Sequence, residues 1–148
     1  MPKFDKIHSV SHRAEDMYAL VADVERYPEF LPLCEALKIR SRRDKGNKSL
    51  LIADMTVGYK AIRETFTSQV MLDPDNLVID VKYLDGPFRY LTNVWRFVPT
   101  GDTASDVHFH IDYEFRSRML GMLMGAMFDT AFSKFTTAFE ERADKLYA

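Results

Sequence analysis

Between Val107 and Arg116 the chain alternates without a fault. Val107, Phe109, Ile111, Tyr113 and Phe115 take one phase, while His108, His110, Asp112, Glu114 and Arg116 take the other. Successive side chains of a strand point to opposite faces, so this period predicts a strand with one dry and one wet face. The period then changes. From Ser117 onward Phe128, Phe132, Phe135, Phe139 and Leu146 recur at three- and four-residue steps, the stripe of one long amphipathic helix. At roughly 1.5 Å per residue such a helix crosses a whole small domain. A sheet with one dry face needs a cover, and this helix is the element large enough to supply it.

The upstream segments fit the same plan. Lys3 to Ser11, with Ile7 and Val10, reads as a first strand; Ala14, Met17, Tyr18, Val21 and Val24 then fall at helical spacing, with Ser11 as the expected N-cap. Pro28 and Pro32 confine the next helix to a short turn. Period two returns in strands carrying Leu37 and Ile39, then Leu51, Ala53, Met55 and Val57 before a bend at Gly58, then Ile62, Glu64, Phe66 and Val70. Two more follow, with Leu77, Ile79, Val81 and Tyr83 in phase, then Leu91, Asn93, Trp95 and Phe97; turns at Asp73–Asn76, Asp85–Pro87 and Pro99–Asp102 separate them. The expected class is α+β, one domain over residues 1–148: a curved antiparallel sheet of about seven strands wrapped around the C-terminal helix, with two short helices after the first strand. A strongly bent sheet around one helix leaves a hollow between them.

Composition removes several functions. Cys34 is the only cysteine, so neither an internal disulfide nor a thiolate zinc site is expected. The formal charge of -2 offers no general attraction to a phosphate backbone, so DNA is not an expected partner. Lys3, Asp5 and Lys6 interrupt the N-terminus where a secretory signal needs an apolar run, which predicts a cytoplasmic protein.

The candidate site follows from which groups share the dry phases. Met119, Met122, Met124 and Met127 make the start of the long helix apolar almost all round; unbranched thioethers suit a wall that adapts to a flexible chain, and ordinary core packing is the alternative. Glu64, Tyr83 and Asn93 are polar groups on otherwise apolar faces. Asn93 and Tyr83 can donate to a carbonyl of a guest, or bond to neighbouring backbone or water. Glu64 is the acid or base a cyclase-like enzyme would need, or else the member of an ion pair with Arg63 or Arg96. Tyr27, Phe30 and Leu31 form a rim over one end of the hollow. His108 and His110, with His8 on a neighbouring strand, lie in the wet phase, so no metal site is expected. Lys38, Arg40, Arg42, Arg43 and Lys45 form the dense basic segment, which meets anionic lipid headgroups, ribosomal RNA, or only solvent at a hairpin tip.

Three blocks carry a family likeness: Asp23 to Cys34 with its proline-flanked Tyr27–Leu31; Asp85, Gly86, Pro87 and Phe88 followed by Leu91 and Trp95; and Ala138 to Arg142. In these the chain resembles the coenzyme Q-binding branch of the START-like, or polyketide cyclase/dehydrase, superfamily. The resemblance implies the helix-grip fold, and a ubiquinone or related polyprenyl lipid held as cargo in support of respiration, with no catalysis and no required cofactor. The same superfamily includes a bacterial factor that acts on the large ribosomal subunit, so a ribosome-binding regulator is the alternative, and a cyclase or dehydratase a second. Leu33 departs from the pattern, where an aromatic often stands. The expected ligand-binding set is Tyr27, Phe30, Leu31, Met55, Val57, Glu64, Phe66, Tyr83, Asn93, Trp95, Met124, Met127, Phe128, Phe132 and Phe135. Peripheral contact with the inner face of the cytoplasmic membrane is expected of a protein that exchanges such a cargo.

Overall fold

The structure, a computed structural model, describes residues 3–59 and 62–147. Met1, Pro2, Lys60, Ala61 and Ala148, which the one-domain expectation includes, lie outside the described residues. The element order is β1 (Lys3–Val10), α1 (Ala14–Ala22), a 3-10 helix (Val24–Glu29), β2 (Cys34–Lys45), β3 (Lys48–Tyr59), β4 (Ile62–Asp73), β5 (Val78–Asp85), β6 (Phe88–Gly101), β7 (Ala104–Phe115) and α2 (Arg118–Tyr147). The described strands form one antiparallel sheet in the order β1-β7-β6-β5-β4-β3-β2. Consecutive strands from β2 to β7 are neighbours, as short turns demand, and β1 closes on β7.

β7 keeps its alternation in space: Val107, Phe109, Ile111, Tyr113 and Phe115 are all buried, against α2. The stripe on α2 meets them with tilted and edge-on rings, Phe109 to Phe132 at 6.2 Å and Tyr113 to Phe132 at 5.4 Å between centroids. Ser117 caps α2, its Oγ accepting from the Leu120 N–H at 3.1 Å. Leu146, expected on the stripe, is 54% exposed, while Asp144 and Tyr147 of the same last turn lie against His12. Ser11 does not cap α1. The N-cap is Arg13 in extended conformation without a side-chain bond, and the residues before it turn to other partners: the His12 carbonyl accepts from Ser105 Oγ at 2.9 Å, and His12 Nε2 lies 2.6 Å from Asp144 Oδ1.

The C-terminal half of α2 is further fastened by His8 Nε2 at 2.7 Å from Glu140 Oε1 and by Arg142, which reaches Glu29 at 2.6 Å while lying over the Phe30 ring. At the other end of the core Phe88 is the hub, its ring against those of Phe66, Tyr83, Tyr113, Phe115 and Phe128. Gly58, the expected bend, is buried and donates its N–H to the Leu33 carbonyl at 3.0 Å, and a Cβ there would strike the Glu35 carboxylate. Leu33 itself sits at φ 67, a left-handed turn that lets the chain leave the 3-10 helix and enter β2.

Candidate ligand cavity

A hollow of about 100 Å³ lies between the sheet and α2. Its floor comes from the inward phases of β3 to β7, its roof from Phe128, Phe132, Phe135 and Phe139 of α2, and one end from Val24, Tyr27 and Leu31. No charged side chain lines it among the described residues. The Tyr27 hydroxyl donates to the Val21 carbonyl, so its polar tip is already satisfied, and burial raises its pKa further above the usual range.

Ten of the expected ligand-binding residues line the hollow: Tyr27, Leu31, Met55, Val57, Phe66, Asn93, Trp95, Phe128, Phe132 and Phe135. Five do not. Phe30 stacks edge-on against Tyr27 and Phe139, under Arg142, in a surface groove. Glu64 lies opposite Val57 near the start of β4, off the wall; its proposed partner Arg63 pairs instead with Glu35 at 2.7 Å. Tyr83 turns its hydroxyl to accept the Phe88 N–H at 3.0 Å, and its ring packs edge-on against Phe88. Met124 and Met127 are buried, but α2 is rotated so that Phe128, Phe132 and Phe135 face the guest space and these methionines pack beside it. Asn93 reaches the wall with its Nδ2 donating to the His110 carbonyl at 2.8 Å. Ser68, Ala53, Val81, Phe109 and Phe139 belong to the wall as well. Ser68 shares its phase with Phe66 and Val70, and that phase was the signal for it.

The volume limits what can enter. An apolar cavity of about 150 Å³ accepts benzene, and ligand sites usually enclose about 300–1,000 Å³. In the conformation described, the hollow is closed down, and a ring with a tail must push the wall apart. Met55 and Phe135 are half-buried lining residues, and the unbranched thioether of Met55 adapts most readily.

Other reactive groups stand apart. Burial pushes the Cys34 thiol up to about 11, so it is not a thiolate at neutral pH. His110 pairs with Asp5 and His8 with Glu140; among the described residues no cluster of three His, Cys, Asp or Glu is placed to hold a metal ion. The basic segment is split. A β-bulge between Ile39 and Ser41 puts Arg42 in the phase of Leu51, while Lys38, Arg43 and Lys45 share the outer phase. Arg40 is tied to Asp54 at 2.6 Å and Arg42 to Asp44 at 3.4 Å, and Lys38, Arg43 and Lys45 are exposed. No described helix is long and apolar enough to cross a membrane.

A bent sheet gripping a long helix over an uncharged hollow defines a START-like fold built to hold apolar small molecules. Residues 10–140 match the family described as "Polyketide cyclase / dehydrase and lipid transport", and the chain belongs to it. It is 31% identical to the ribosome association toxin RatA of Escherichia coli over 148 residues, all of this chain and 90% of the relative. It is 32% identical to the mitochondrial coenzyme Q-binding protein COQ10 of Drosophila melanogaster over 139 residues, 92% of this chain and 56% of that one. The solution structure of an 18 kDa protein of Caulobacter crescentus superposes with a TM-score of 0.81 at 34% identity, covering 99% of each chain.

Proposed function

We propose that this protein is a carrier and not an enzyme, and that its cargo is ubiquinone or a related polyprenyl quinone. The observation that carries the reading is the wall itself: aromatic and aliphatic on every side, with uncharged polar groups only. Each buried CH2 of a prenyl tail contributes about 0.8 kcal/mol, so a few isoprene units outweigh the cost of widening the hollow. Glu64, the one acid the cyclase alternative relied on, stands off that wall, which favours binding over chemistry. The name of the Drosophila relative supports the same cargo.

The cargo has to be collected from a membrane, and the start of α2 suits that contact better than the basic hairpin. Met119, Met122 and Leu123 are 70%, 81% and 56% exposed, beside exposed Arg116 and Arg118 that complement anionic headgroups. On this reading the protein works in the cytoplasm against the inner face of the membrane. Organic extraction of freshly purified protein, followed by mass spectrometry, is expected to yield a prenyl quinone in stoichiometric amount. Clean extracts, together with no uptake of added quinone, would overturn the carrier.

A second reading is favoured by the RatA relatives, which include a Vibrio cholerae protein 35% identical over 138 residues, and by the exposed Lys38, Arg43 and Lys45. On it the outer face of the hairpin meets the large ribosomal subunit. Co-sedimentation with purified large subunits, abolished by Arg43→Glu with Lys45→Glu but not by changes in the cavity, is the result it requires.

A further inference from the structure

Ser68 is 6% exposed and its Oγ has no hydrogen-bond partner. Its position leaves it little choice. It lies in phase with Phe66 and Val70, opposite Ala53 on β3 and Tyr83 on β5, and the Tyr83 hydroxyl is turned to the Phe88 N–H, so none of these neighbours bonds it. The β4–β5 pairing also slips beside it: Thr67 faces Asp85 and Ser68 faces Tyr83, which leaves Leu84 over as a bulge. A buried hydroxyl without a partner is costly, and alanine at this place would avoid the cost. Asn93 is the neighbouring polar group, with Val81 between them, paired to Val70 on one side and Asn93 on the other. Because Asn93 Nδ2 donates to the His110 carbonyl, its orientation is fixed and its Oδ1 is left as an acceptor.

We propose that Ser68 Oγ is the polar anchor of the cavity, hydrogen-bonding an oxygen of the cargo while Asn93 offers the next polar contact across β5. The inference rests on the carrier reading and narrows its cargo. The site takes a mostly hydrocarbon molecule bearing a neutral carbonyl or hydroxyl oxygen. A plain hydrocarbon leaves Ser68 unmet, and a carboxylate or phosphate head finds no countercharge on the wall.

Trp95 is the only tryptophan and lines the cavity, so its emission reports occupancy alongside calorimetry. The test compares wild type and Ser68→Ala against three probes: decyl-ubiquinone, decylbenzene and decanoate. Loss of one hydrogen bond should weaken the quinone about five- to tenfold, leave decylbenzene unchanged and leave the unliganded melting temperature equal or higher. Wild type should prefer the quinone to both other probes. Equal quinone affinity in the two proteins overturns the anchor and leaves the carrier standing, as does a wild type that takes decylbenzene or decanoate as tightly as the quinone. A wild type that takes up none of the probes overturns the carrier and the anchor together.

Discussion

Replacing Phe88 with alanine is expected to lower the unfolding free energy by about 3–5 kcal/mol, the range for emptying a buried aromatic site. Phe88 is 2% exposed and opens β6 immediately after the Gly86–Pro87 turn. Its ring stacks on Phe115 at 5.0 Å and meets Phe66, Tyr83 and Phe128 at 5.7, 5.5 and 5.5 Å, joining β4, β5 and β7 to the helix. The turn cannot follow the missing ring inward. Gly86 holds φ 145, and a Cβ on it would strike Phe66, so the backbone is already at closest approach. Against a typical total of about 5–15 kcal/mol the loss is a large fraction. Urea unfolding at unchanged m-value measures it, and a loss below about 1 kcal/mol would show that the rings repack around the gap.

Ala53→Leu is expected to weaken cargo binding about a hundredfold while leaving the fold intact. Ala53 is 5% exposed, lines the hollow and faces Ser68 across the β3–β4 pair, so the added carbons project into guest space. They displace the equivalent of three or four methylenes of cargo at about 0.8 kcal/mol each, a loss of about a hundredfold in affinity. The protein itself gains packing in a void, so its melting temperature should hold or rise. Trp95 quenching by a short-tailed quinone reads the first quantity and thermal unfolding the second. Undiminished quenching in this variant would place the guest outside the hollow.

The strands and the long helix are legible in the sequence because burial on one face enforces a period; β7 is the clearest case, followed by the phenylalanine stripe. The start of α1 is not, because His12 answers to Ser105 and Asp144, partners from a strand and a helix far along the chain. The cavity wall is legible by phase, and Ser68 shares the phase of Phe66 and Val70, but a lone hydroxyl in a strand carries no burial signal of its own. The rotation of α2 that sets Met124 and Met127 beside the hollow depends on packing of the whole helix, which periodicity leaves undetermined. Bulges are equally hidden: one inserted residue at Ile39–Ser41 divides a basic run that looks continuous in one dimension.

The fastenings of α2 are unevenly placed. Glu140, Arg142 and Asp144 hold one half to β1, the 3-10 helix and the segment before α1, while the other half, up to the exposed methionines, rests chiefly on apolar packing. Apolar packing can slide and reform, whereas charged hydrogen-bonded partners resist separation. The helix is therefore held by charge near Glu140 and, toward Phe128, by ring packing together with the hydrogen bond from the Tyr113 hydroxyl to Asp129 at 3.2 Å.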